Sequence, residues 1–196
     1  MIKRICIDLD DTLVDWNGAL RKWYNNKYGT NLKLKDFKSY FFNEVWGGTL
    51  QEAIDKVDIF NHSNYNQRIL PLEYSREAIN ILTEQGRELF IATSRPDFLR
   101  DETQRLLNEF FKNKFSDVFY SLNHYSGREN SGKSKVEICK DLGAMLIDDS
   151  QDYVIQCHNA GIPTLLFGDY PWNQLDFNTS LIIRRAKNWK KVLECI

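Results

Sequence analysis

The chain has 196 residues, 42% hydrophobic and 27% charged, the usage of a folded domain and too apolar for a disordered chain. That length holds one core with a small insertion, and it excludes two large independent domains. With 26 Lys and Arg against 27 Asp and Glu, the net charge of -1 offers no bulk attraction to polyanions, so no nucleic-acid partner is expected.

Met1 to Asp8 is too short and too soon charged for a signal peptide, and no apolar run approaches the roughly 18 residues of a membrane span. The expectation is a cytoplasmic protein without a membrane partner. The four cysteines, at 6, 139, 157 and 195, form no CxxC pair, and three sit in apolar-periodic stretches, so neither a disulfide framework nor a zinc site is indicated.

In chain order, the first apolar run is Arg4 to Leu9. Residues 16–70 then break the pattern, with helical periodicity at Trp16, Leu20, Trp23 and Tyr24, a Gly47-Gly48 interruption, and a second helical run near Leu50 to Val57. This stretch reads as a helical insertion. It holds 11 of the 26 aromatics, which either fill a small core or line a pocket, Phe41, Phe42 and Trp46 being the best pocket candidates. Ser75 to Gln85 reads as a helix ended by Gly86. Strand-like runs follow at Glu88 to Thr93, Val118 to Leu122, Ala144 to Asp148, Ile162 to Phe167 and Leu181 to Ile183. Helices are predicted between them, from Pro96 and Asp97 through Phe110 and from Ser134 to Leu142, before Gly143. The basic run Arg184, Arg185, Lys187, Lys190 and Lys191 reads as the solvated face of a terminal helix. Such alternation predicts an α/β fold, a Rossmann-like doubly wound parallel sheet, with its strand C-terminal ends on one ligand-binding edge.

Chemistry-bearing residues gather at that edge. Asp8 and Asp10 alternate at the end of the first strand, with Thr12 two residues on, and Asp148-Asp149 end another strand. Four carboxylates converging in this way require a cation, and an oxygen-rich site with room for waters and phosphate suits Mg²⁺. Thr93 and Ser94 bring hydroxyls and helix N-terminal donors to the same edge, where phosphoryl transfer would use them. For a phosphate-binding cation three lysines compete. Lys135, in the first turn of its helix, is favoured over Lys133, and Lys140 lies too far along the axis. Arg95 either touches a substrate phosphate or is a surface residue beside Pro96.

Asp8-Leu9-Asp10-Asp11-Thr12, Thr93, Lys135 and Asp148-Asp149 together resemble the four ordered motifs of the haloacid dehalogenase superfamily. The likeness spans the whole core. The insertion resembles the cap of the first subclass, giving a core of residues 1–15 and 71–196 and a helical cap of residues 16–70. The layout is similar to the 5'(3')-deoxyribonucleotidase-like branch, although Asp11 stands where many of its members carry Gly. The resemblance implies Asp8 as nucleophile, Asp10 as acid and base with its carbonyl on the metal, and Thr93 and Lys135 as phosphoryl holders. Asp8 and Asp149 would bind Mg²⁺ directly, with Asp148 acting through water or supporting the lysine. Thr12, Ser94, Arg95, Phe41 and Trp46 are the candidate substrate contacts. The implied activity is a Mg²⁺-dependent phosphomonoesterase for a small phosphate ester, foremost a (deoxy)nucleoside monophosphate. Other esters, and a silent binding protein on the same fold, remain open. Gly127 to Ser134 also satisfies the P-loop pattern GxxxxGK[ST], but only 62 residues follow it, few for that fold, and Asp8, Asp10 and Thr93 would go unexplained.

Overall fold

A computed structural model describes residues 2–122, 132–176 and 182–196. Its centre is a six-stranded sheet in the order β3-β2-β1-β4-β5-β6, every pairing parallel. The strands are β1 (Arg4–Ile7), β2 (Glu88–Thr93), β3 (Asp117–Tyr120), β4 (Met145–Asp148), β5 (Thr164–Phe167) and β6 (Arg185–Ala186). Such strands are covered on both faces, which is why β1 and β4 read as continuous apolar runs. Ile5 pairs with Leu89 on one side and Met145 on the other, setting the ends of β1 and β4 level.

Helices α1 (Trp16–Tyr28), α2 (Asn43–Trp46) and α3 (Leu50–Asn61) lie between β1 and α4 (Ser75–Glu84). Asp15 caps α1 by accepting from the Gly18 amide, and Gly29 ends it in the left-handed region. Thr49 and Glu52 form a reciprocal capping box at α3. Chain entry and exit lie side by side, since Asp15 N–H donates to Leu70 O and Leu72 N–H to Leu13 O. Trp23, Tyr24, Phe37 and Phe60 are buried in one apolar cluster with Ile5 and Ile7 of β1 and with Ile79 and Leu82 of α4, so these aromatics of residues 16–70 serve packing.

Among the described residues the remaining α-helices are α5 (Arg100–Phe110), α6 (Lys135–Leu142), α7 (Gln151–Asn159) and α8 (Trp189–Cys195). Ser134 and Glu137 box the start of α6, and Gly143 closes it at φ 59°. That cap fixes Lys135 as the first helical residue, at the sheet edge.

Two expectations are corrected. The last strand is Arg185–Ala186 rather than Leu181 to Ile183; Leu181 lies outside the described residues, and Ile183 packs against Val154 and Leu166 instead. Arg184 and Arg185 precede the terminal helix, and Arg185 is not a solvated charge: it donates to Gly168 O at 2.5 Å and to Asn173 O at 2.6 Å. All four cysteines are free thiols, and no helix among the described residues is long and apolar enough to cross a membrane. Of the P-loop pattern, residues 127–131 lie outside the described residues.

Candidate active site

The sheet order reverses direction between β1 and β4, where adjacent crossover helices diverge and open a crevice at the strand C-terminal ends. Asp8 follows β1, Asp148 ends β4, and Asp149 comes next. Each offers an oxygen to a group lying within 4.8 Å, and all three residues are buried. Lys135 Nζ enters from α6 and donates to Asp8 Oδ1 at 2.6 Å and Asp148 Oδ2 at 2.7 Å. It is only 2% exposed. Lys133, by contrast, is exposed and pairs with Asp141, and Lys140 is exposed as well. Among the three lysines, Lys135 is the one brought to the carboxylates.

Charge in this crevice is unbalanced. Asp8, Asp10, Asp11, Asp148 and Asp149 face two buried cations, Lys135 and Arg95. Burial, with the charges of Asp148 and Asp149, holds Asp8 well above the usual carboxylate range despite Lys135. Burial raises Asp148 as well. Asp149 is pushed up to about 7 by burial and by the charge of Asp148. Lys135 is held well above its usual range because Asp148 and Asp8 outweigh the effect of burial. A single lysine does not neutralise three buried carboxylates, and three close oxygens of this hard type could hold a divalent cation.

The other predicted residues are sorted by the structure. Arg95 is 4% exposed, which removes the surface alternative; its Nε and Nη2 grip the Asp10 carboxylate at 2.8 and 2.7 Å, and Nη1 reaches Thr103 Oγ1 at 3.3 Å. The fork of a guanidinium sets the plane of the carboxylate as well as its charge environment. Thr12 is fully buried: its hydroxyl accepts from the Asp149 amide at 3.1 Å, which fixes the backbone that carries that carboxylate. Thr93 is buried at the end of β2 with its hydroxyl accepting from the Arg95 amide. Ser94 lines the crevice, with its hydroxyl 3.0 Å from Ser121 Oγ and 3.2 Å from Tyr153 Oη.

Above the carboxylates lies a cavity of about 220 Å³. Its floor includes Asp8, Asp10 and Lys135, and its walls include Trp16, Phe42, Leu50 and Ile54 from the helical segment. Phe42 lies on that wall, whereas Phe41 and Trp46 do not. Phe41 is 39% exposed at the surface, and Trp46 is stacked between Tyr24 at 4.5 Å and Phe42 at 4.9 Å. Position 46 is the last residue of α2, and its ring turns into the packing of the helical segment.

Asp11 adopts φ 57°, a conformation that suits glycine. Aspartate tolerates it, and here its Oδ1 accepts from the Asn17 amide at 2.8 Å, tying the loop to the first turn of α1. Two further residues, Tyr40 and Trp172, carry no motif that marks them in the sequence. Both reach Asp149 Oδ2, Trp172 Nε1 at 2.8 Å and Tyr40 Oη at 3.1 Å. Trp172 follows β5 at the same sheet edge, a position that could have marked it; Tyr40, in an irregular stretch, has no such signal.

The family model for the 5' nucleotidase, deoxy (Pyrimidine), cytosolic type C proteins matches residues 1–196, the whole chain. The chain belongs to that family. It is a phosphatase of the haloacid dehalogenase superfamily. A curated relative, Pyrophosphatase PpaX of Halalkalibacterium halodurans, is 22% identical over 183 residues, covering 85% of this chain and 84% of the relative. Among solved structures, a haloacid dehalogenase-like family hydrolase from Streptococcus pneumoniae aligns with TM-score 0.72 at 15% identity, covering 99% of this chain and 98% of its own. A family hydrolase from Deinococcus radiodurans, solved with bound phosphate and sodium, aligns at 0.69 and 16% identity, covering 97% and 93% of the two chains. The fold is common to these proteins.

Proposed function

We propose that this phosphatase is a Mg²⁺-dependent phosphomonoesterase that works through an aspartyl-phosphate on Asp8 and takes (deoxy)nucleoside 5'-monophosphates. One observation supports this above the others: Asp8, with Lys135 at 2.6 Å, lines the same cavity as Trp16 and Phe42 of the helical segment. A phosphate dianion suits the floor and a flat base suits the wall. The family's nucleotidase description agrees with that division.

In the first step an Asp8 oxygen attacks phosphorus and the ester P–O bond breaks. Asp10 gives its proton to the departing oxygen. In the second step Asp10 takes a proton from water, whose oxygen attacks phosphorus; the acyl-phosphate P–O bond breaks, restoring Asp8 and releasing phosphate. Arg95 orients the Asp10 carboxylate through both steps. Lys135 lies beside the attacking carboxylate, where its charge offsets that gathering on the phosphoryl oxygens. Thr93 and Ser94 supply hydroxyl and backbone donors at the end of β2. Asp8 and Asp149 would hold Mg²⁺, with Asp148 supporting Lys135 and the Asp10 carbonyl completing the set. When bound, the ion neutralises carboxylates and phosphoryl oxygens that would otherwise repel. Residues 16–70 act as a cap over the crevice, and Phe42 and Trp16 are its substrate-facing aromatics.

The test is phosphate release from a panel of 5' and 3' ribo- and deoxyribonucleotides, sugar phosphates, pyrophosphate and ATP, with Mg²⁺ or with EDTA. Release concentrated on 5'-monophosphates and abolished by EDTA is expected. Preference for pyrophosphate or a sugar phosphate would overturn the substrate assignment, and release undiminished by EDTA would overturn the metal assignment.

A further inference from the structure

The hydrogen bonds around Asp149 join the helical segment to the carboxylate cluster. Tyr40 belongs to residues 16–70, yet its hydroxyl lies 2.8 Å from Asp149 O and 3.1 Å from Asp149 Oδ2, across 109 positions of sequence. From the core side Trp172 Nε1 donates to the same Oδ2 at 2.8 Å. The Trp172 ring is held in turn by stacking on Tyr170, centroids 4.4 Å apart, and the Tyr40 ring meets Trp172 edge-on at 6.3 Å. One oxygen of Asp149 thus receives the Trp172 N–H from the core side and, from the helical segment, a share of the single Tyr40 proton, whose shorter contact is to the Asp149 carbonyl.

We propose that Tyr40 is a positioning residue that couples closure of residues 16–70 to occupancy of the cation site, by fixing the Asp149 carboxylate only when the helical segment is seated on the core. The inference rests on the assignment of Asp149 as a cation ligand and residues 16–70 as a cap. Three physical points carry it. A carboxylate pinned through one oxygen presents the other in a single orientation, so the ordering cost of ligation is met before the ion arrives. Trp172 alone gives one such pin, and Tyr40 adds the second only from the seated position. The Asp149 carbonyl does not depend on Tyr40, because Asn173 Nδ2 donates to it at 2.9 Å. Removing the Tyr40 hydroxyl therefore acts on the carboxylate without orphaning the backbone. By linkage, the factor by which closure strengthens ion binding is also the factor by which the ion strengthens closure.

The experiment uses the full chain, metal-free, and needs no turnover. Mg²⁺ affinity is measured by titration calorimetry for the wild type, Tyr40→Phe and Trp172→Phe, and amide exchange of α3 (Leu50–Asn61) is followed with and without Mg²⁺. Partners that orient a metal ligand are worth about 10- to 100-fold in affinity, so about tenfold weaker binding is expected for each variant. Mg²⁺ should slow exchange in α3 of the wild type and of Trp172→Phe but not of Tyr40→Phe. Mg²⁺ affinity of Tyr40→Phe within about twofold of wild type would overturn the proposal, being far below the expected loss. So would weakened binding with the Mg²⁺-dependent protection of α3 intact, which would leave Tyr40 a static support. A wild type that binds no Mg²⁺ would remove the cation assignment and this inference together, whereas the other two outcomes leave that assignment standing.

Discussion

Lys135→Met removes the charge that stands between Asp8 and Asp148 while keeping most of the side chain's volume. Lys135 is 2% exposed and makes two ion pairs, at 2.6 and 2.7 Å, and its ammonium also lies 4.5 Å from the Tyr153 ring centroid. Breaking a buried pair by deleting one partner costs about 3–5 kcal/mol, because the remaining charge is left without compensation. For a chain of this size 1 kcal/mol moves the midpoint by about 2–4 °C, so a fall of about 6–20 °C is expected in EDTA. Mg²⁺ should recover part of that loss, since it supplies positive charge to the same carboxylates. Turnover should fall by about 10²–10³, the usual effect of deleting one group that stabilises transition-state charge. Thermal unfolding in EDTA and in Mg²⁺, alongside phosphate release, provides both readings. Lys140→Met, at an exposed position, is the control and should stay within about 0.5 kcal/mol. A midpoint for Lys135→Met within about 2–4 °C of wild type in EDTA, or a larger effect at Lys140, would refute the reasoning about the buried charge.

Asp8→Asn should abolish phosphate release while leaving the circular dichroism spectrum and the midpoint close to wild type, since it trades one ion pair for relief among buried carboxylates; substantial residual turnover would reject Asp8 as nucleophile. In EDTA the wild type should become less stable as pH rises from about 4 to about 7. Asp8, Asp11, Asp148 and Asp149 are all raised in the fold, Asp149 to about 7, so the folded state binds more protons than the unfolded chain across that window and the stability present at low pH is lost. Mg²⁺ should flatten this profile, and a midpoint that rises with pH in EDTA would contradict it. Phe42→Ala should raise KM for a nucleoside monophosphate more than for a small chromogenic phosphate, with Phe41→Ala near wild type on both; equal effects at the two positions would remove Phe42 from substrate contact.

The sheet was legible because five of its strands announce themselves as apolar runs with acidic or hydroxylic residues at several of their ends. Asp8, Thr93 and Asp148 fall at the same edge for that reason. Lys135 could be favoured over Lys133 because a helix starting near Ser134 keeps its first turn at the sheet edge; the capping box of Ser134 and Glu137, visible in the structure, sets that start. β6 was misplaced because Arg185–Ala186 has no apolar pattern; its pairing with Leu166 and Phe167 and the inward turn of Arg185 toward Asn173 are tertiary. The aromatics of residues 16–70 show the same limit. Phe41, Phe42 and Trp46 are equivalent as sequence, and only the turn of α2 decides that Phe42 meets the cavity while Trp46 stacks on Tyr24. Arg95 could not be assigned for a related reason: its partner Asp10 lies 85 positions away.

The central claim, phosphoryl transfer to Asp8, is open to one direct measurement. The protein is mixed with a (deoxy)nucleoside monophosphate and Mg²⁺, quenched rapidly, and treated with borohydride, which reduces an acyl phosphate to an alcohol; peptide mass spectrometry then locates the reduced side chain. Reduction at Asp8 alone, dependent on substrate and absent in Asp8→Asn, is the expected result. Steady phosphate release with no reducible carboxyl, or with reduction at Asp10 or Asp149 instead, would contradict it.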